Sequence, residues 1–130
     1  MQLLKIYYAY FSPGNTTEKV VSHIASSFQN YPVESINLTD YATRQEDYYF
    51  KENELLIIGV PAYGGRVPAP VVDALRHFTG SNTPVVLVAT YGNRDIDDTL
   101  IELKKNVIDK GFIPTQEKGL GCSDYNGQGK

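Results

Sequence analysis

Three short apolar runs, Leu3 to Tyr8, Leu55 to Val60 and Val85 to Ala89, constrain this chain more than any other feature. Each is rich in Ile, Leu, Val or Tyr and does not alternate with polar residues. A strand with one face in water alternates, whereas a strand buried on both faces of a parallel sheet reads as a continuous apolar run. The segments between them carry a different period. Val20, Val21, Ile24, Ala25 and Phe28 share one face of a helix over Thr17 to Phe28. Pro68 and Pro70 introduce a second helix, Val71 to Phe78, at positions where the missing proline N–H costs little. A third helix runs from about Asp97 to Lys110 and is closed by Gly111. A weaker strand, Val33 to Asn37, follows Tyr31-Pro32. A fifth, Phe112 to Glu117, requires an edge position, because Pro114 cannot donate to an inner ladder. Strands alternating with helices specify βαβ units, hence an α/β fold of three layers with helices on both faces of a parallel sheet.

At 130 residues the chain is long enough for one domain with an ordinary hydrophobic core. Its net charge of −3 and pI near 5.3 come from interspersed acids and bases, which argues against a nucleic-acid tract or a polybasic membrane patch. No apolar run approaches the ~20 residues needed to span a bilayer. The start, Met1 to Tyr8, lacks the charged head and long apolar stretch of a signal peptide. The one cysteine, Cys122, cannot form an internal disulfide or hold an iron–sulfur cluster, and it has no neighbouring His/Cys set for zinc. These features imply a cytoplasmic protein with no nucleic-acid and no membrane partner.

Open parallel sheets bind ligands beyond the carboxyl ends of their strands, where strand order reverses. Three loops follow those ends: Tyr10 to Thr17, Pro61 to Pro68, and Thr90 to Asp95. In the first, the hydroxyls of Ser12, Thr16 and Thr17 and the free N–H groups of the helix start would solvate a phosphate dianion without Arg or Lys. Taken alone, the same residues have the plainer reading of a capped helix start, which their pattern favours less. In the second, Tyr63-Gly64-Gly65 allows a peptide to turn over at little steric cost, or forms a plain turn before a proline-started helix. The third offers Tyr91 flanked by Thr90, Gly92 and Asn93. Asp95, Asp97 and Asp98 open the last helix as caps and dipole partners. His23 and His77 have no acid or nucleophile near them in sequence and are not site residues.

Three motifs stand in order at these strand ends: Tyr-Phe-Ser-Pro-Gly-Asn-Thr-Thr (10–17), Ile-Gly-Val-Pro-Ala-Tyr-Gly-Gly-Arg-Val-Pro-Ala-Pro (58–70) and Ala-Thr-Tyr-Gly-Asn-Arg (89–94). With them the chain resembles flavodoxin-like domains from Leu3 to about Lys118, in particular those that precede a ferredoxin-like module in some bacterial proteins. The resemblance implies a sheet order 2-1-3-4-5, non-covalent FMN, and electron transfer in which the cofactor carries the reaction and no residue is catalytic. The cofactor-binding residues are then Ser12, Pro13, Gly14, Asn15, Thr16 and Thr17 at the phosphate, Pro61, Ala62, Tyr63, Gly64 and Gly65 at the flavin N5 edge, and Thr90, Tyr91, Gly92 and Asn93 at the isoalloxazine. Tyr91 is the first candidate for stacking on the ring and Tyr63 the second. A flip of the Tyr63-Gly64 or Gly64-Gly65 peptide would favour the semiquinone. The three acids of the last helix would lower the second reduction potential, and Arg66 and Arg94 would oppose that field or dock a partner. That partner is a redox protein, ferredoxin-like or a reductase.

Two departures from the family pattern bear on affinity. Where relatives commonly have Thr-Gly this chain has Gly14-Asn15, so Asn must take a left-handed conformation, which it tolerates. Pro13 removes an N–H. Gly14-Asn15 and the tail leave open a flavodoxin-like domain with weak or lost flavin binding, and a separate alternative is an FMN-dependent NAD(P)H or quinone reductase. Phosphoacceptor receiver domains share the sheet order, but they need acids after the first strand and an aspartate after the third, where this chain has Tyr10-Phe11 and Pro61-Ala62. The family also closes with a covering helix. Gly119 to Lys130 holds four glycines and no helical period. The expected organisation is thus a domain over 1–118 and a Gly-rich tail over 119–130, with the last helix missing or irregular. Either a homodimer covers the open sheet face or the chain is truncated.

Overall fold

The computed structural model describes residues 3–91 and 96–121. Its frame is a five-stranded sheet in which every neighbouring pair is parallel. In chain order the elements are β1 (Lys5–Tyr10), α1 (Thr16–Ser26), β2 (Val33–Asn37), α2 (Tyr41–Arg44), β3 (Tyr48–Tyr49), β4 (Glu54–Pro61), α3 (Ala69–Leu75), β5 (Phe78–Thr79), β6 (Thr83–Tyr91), α4 (Ile96–Asp109) and β7 (Phe112–Gly121). The large sheet runs β2-β1-β4-β6-β7, which is the expected 2-1-3-4-5 order of the principal strands. β4 and β6 lie inside it, and nearly every residue of both is buried. This is the burial on two faces that their unbroken apolar runs imply.

Helices cover both faces. On one side α1 packs Val20, Val21 and Ala25 against Ile6, Leu55, Ile57 and Val88. On the other, Val71 and Leu75 of α3 and Leu103 and Val107 of α4 pack against Leu56, Ile58 and Leu87. Gly59 allows α1 to sit close to the sheet, because a Cβ at that position would overlap Val21 Cγ1 and lie 3.0 Å from Thr17 Cγ2. Gly111, at φ 97°, ends α4 in the left-handed conformation that its place after the helix predicts.

Several boundaries differ from expectation. α3 stops at Leu75, and Phe78 belongs instead to the two-residue strand β5, paired with β3. β7 is an edge strand, as Pro114 requires, with a bulge where Pro114 faces Val85 and Gln116 faces Val86. The strand runs to Gly121, past the boundary placed at Lys118. No helix follows it among the described residues, and the remainder of the predicted tail, 122–130, lies outside them. On the α1 side the edge strands expose a mixed surface: Val33, Ser35 and Asn37 of β2, and Ile113 and Gln116 of β7. Among the described residues, no helix is long and apolar enough to cross a membrane.

Candidate functional site

β1, β4 and β6 end side by side, and the strand order reverses between β1 and β4. The first loop leaves β1 at Tyr10 and is backed by the turn after β2. The Ser12 N–H donates to Thr39 Oγ1 at 2.8 Å, and the Thr39 N–H donates to Asn37 Oδ1 at 3.0 Å. Arg44 donates to the carbonyls of Leu38 and Thr39. The loop closes with the Asn15 N–H on the Ser12 carbonyl, Asn15 standing at φ 71°. The left-handed step expected at Gly14-Asn15 therefore falls on asparagine. Asn15 makes no side-chain cap. Ser12 Oγ accepts from the Glu18 N–H at 2.9 Å instead, so its hydroxyl caps the first turn of α1. The amides of Thr16 and Thr17 lie in the first turn, where a helix offers no acceptor. A Cβ built on Gly14 meets nothing within 4 Å.

Two contacts join the three loops. Thr17 Oγ1 and Thr90 Oγ1 are 2.8 Å apart, both buried, linking the start of α1 to the end of β6. The Ala62 N–H donates to the Thr90 carbonyl at 2.8 Å, linking the second loop to the third. Beyond Ala62 the chain turns tightly. Tyr63 and Arg66 exchange backbone hydrogen bonds of 3.0 Å across Gly64 and Gly65, whose φ values of 59° and 80° are those of a type I′ turn. Tyr63 also meets Phe11 edge to face, with ring centroids 6.5 Å apart.

Arg66, which the sequence offers as a docking or field-setting cation, is engaged with α4. Its Nε lies 2.9 Å and its second guanidinium nitrogen 3.3 Å from the two oxygens of Glu102. Glu102 Oε1 also accepts the Val67 N–H at 3.0 Å. The Arg66 hydrogen bond, helped by the Val67 amide and the Arg66 charge and opposed by partial burial, holds the Glu102 carboxyl below its usual range. Arg94 and Asp95 lie outside the described residues. Asp98 is exposed in the first turns of α4.

Between the loops is a cleft of about 240 Å³. Ser12, Pro13, Gly14, Thr16 and Thr17 line it from the first loop, Pro61, Ala62 and Tyr63 from the second, and Thr90 and Tyr91 from the third. Asn15, Gly64 and Gly65 are not in its wall; they supply the backbone turns that shape it. Gly92 and Asn93 lie outside the described residues. The lining contains no lysine or arginine among the described residues, and it offers an anion N–H groups, hydroxyls and the positive end of α1. Among the described residues no acidic, histidine and cysteine cluster could hold a metal. His77 Nδ1 lies 2.8 Å from Asp47 Oδ1, and neither residue lines the cleft. Sequence reasoning missed Thr39 and Glu102, which support the loops from 27 and 36 residues away.

No protein-family model matches the sequence, and no curated protein matches it. Solved structures do match. A candidate flavoprotein of Bacteroides uniformis ATCC 8492 superposes with a TM-score of 0.66 at 17% identity, over 92% of each chain. A flavodoxin from the domain Archaea gives 0.66 at 13% identity, over 91% of this chain and 85% of that one. The two-electron-reduced flavodoxin of Megasphaera elsdenii gives 0.62 at 17% identity, over 88% and 85%. At these identities the likeness concerns the fold.

Proposed function

Starting from a flavodoxin-like fold, we propose that the cleft binds FMN without a covalent bond and that the protein carries electrons in the cytoplasm to or from a redox partner protein. The observation that carries this reading is the Thr17–Thr90 contact, which brings the first and third loops together across the end of β4, beside the point where strand order reverses. The residues present fit such a ligand. The amides of Thr16 and Thr17 and the Ser12 hydroxyl would hold the phosphate, and Gly14 leaves room for it. Tyr63 and Tyr91 would flank the ring. At about 240 Å³ the cleft is smaller than the ~300–1,000 Å³ of pockets that enclose a ligand. A carrier of this kind would leave a flavin edge in solvent, where a partner protein could reach it. When bound, FMN would supply one-electron and two-electron chemistry, while the chain orients it and tunes its potentials.

The Tyr63–Arg66 turn would present backbone to the ring, and its glycines would let a peptide there change orientation. The test is to load the protein with FMN, add NADPH in the absence of other proteins, and follow the visible spectrum. A carrier stays oxidised under NADPH and is reduced by dithionite. Rapid bleaching by NADPH would instead indicate a reductase.

A further inference from the structure

We propose that Glu102, on α4, is a positioning residue for the ring side of the cleft: it fixes the Tyr63–Arg66 turn from outside the site, so that FMN affinity depends on a residue that does not line the cleft. The proposal rests on the flavin reading above.

The turn cannot define its own conformation. Both of its central residues are glycines at positive φ, and glycine is as free to leave such a conformation as to adopt it. Within the turn only the two backbone bonds between Tyr63 and Arg66 oppose that freedom. On its N-terminal side it is tied to the sheet through the Ala62–Thr90 bond. On its C-terminal side two ties act: the Val67 side chain is buried in the core, and Glu102 holds the Val67 amide and the Arg66 side chain. An exposed Arg–Glu pair alone would do little, and 73% of the Arg66 side chain is exposed. Glu102 differs because one oxygen accepts both the Arg66 Nε–H and the Val67 N–H, while the other accepts a second guanidinium bond. Side chain and backbone are therefore held by a single carboxylate. The main chain that carries this carboxylate is itself anchored, since Leu103 and Val107 fix α4 in the core and the Asn106 side chain donates to the Glu102 main-chain carbonyl at 3.0 Å. Beyond the anchor of Val67 in the core, the turn thus takes its position from α4, and Tyr63, its first residue and part of the cleft wall, is placed with it.

The experiment compares the full chain with Glu102→Gln and Glu102→Ala, labelled for NMR. In the ligand-free state, hydrogen exchange is measured at Val67, Arg66 and Tyr63. Inorganic phosphate and FMN are then titrated separately, with phosphate read at the Thr16 and Thr17 amides. Exchange at the three turn amides should rise several-fold to about tenfold in Glu102→Ala and less in Glu102→Gln, which keeps an acceptor for Val67. FMN affinity should fall by a similar factor, with phosphate affinity unchanged. A general loss of structure would weaken both ligands together, and that outcome overturns the proposal. Unchanged exchange at the turn, or unchanged FMN affinity despite faster exchange, also overturns it. If the unaltered protein binds phosphate but no FMN, the flavin reading fails by itself, and the exchange arm still decides whether Glu102 positions the turn.

Discussion

Thr17 shows how much of the site depends on single side chains. Its hydroxyl is 2.8 Å from that of Thr90 in a buried position, its amide is in the first turn of α1, and its methyl group lies over Gly59. Thr17→Val keeps the shape but leaves the Thr90 hydroxyl without its partner. We expect a loss of about 1–2 kcal/mol in urea unfolding, most of it restored in Thr17→Ser. The residue-level signals in the sequence were uneven for a physical reason. Hydroxyls and glycines following an apolar run are local, so Ser12, Thr17, Tyr63 and Thr90 could be singled out in the sequence, and in the structure they line one cleft. Thr39 and Glu102 have ordinary sequence surroundings, and only the fold brings them to Ser12 and Arg66.

Elements were legible in proportion to their length and burial. β4 and β6, buried on two faces, could be read directly, and Val33–Asn37 was located although only Ile36 in it is buried. α2, β3 and β5, at four, two and two residues, are too short to display any period. β7 extends beyond its expected end because pairing with β6 supports residues, Gly119 among them, that have little strand propensity. Two predictions belong at this scale. Gly59→Ala would push α1 off β4, and overpacking of this kind costs about 1–3 kcal/mol, measurable as a lower unfolding midpoint. The link between α4 and the second loop gives a pH dependence. The Glu102 carboxyl is held below its ordinary value near 4.5 in the fold, so its contribution is complete above that value and is lost as pH falls through the lower, folded one. Urea midpoints of the unaltered protein and Glu102→Gln should therefore differ at neutral pH and converge in acid. A constant gap would show that the carboxylate charge is not what holds the loop.

At the scale of the whole molecule, a parallel sheet with helices on both faces brings the ends of β1, β4 and β6 together, and the chain places there a hydroxyl-bearing loop at the start of α1, a glycine turn and two tyrosines. None of the described lining residues is cationic, so in the proposed reading oriented N–H groups, hydroxyls and the α1 dipole would attract the phosphate. The most direct measurement is a comparison of FMN with riboflavin, which has the same ring but no phosphate, by quenching of flavin fluorescence under identical conditions. The account predicts that FMN binds and that riboflavin binds at least about tenfold more weakly, because charge-assisted hydrogen bonds at the start of α1 are lost. No quenching by either flavin, or equal affinity for both, would contradict it.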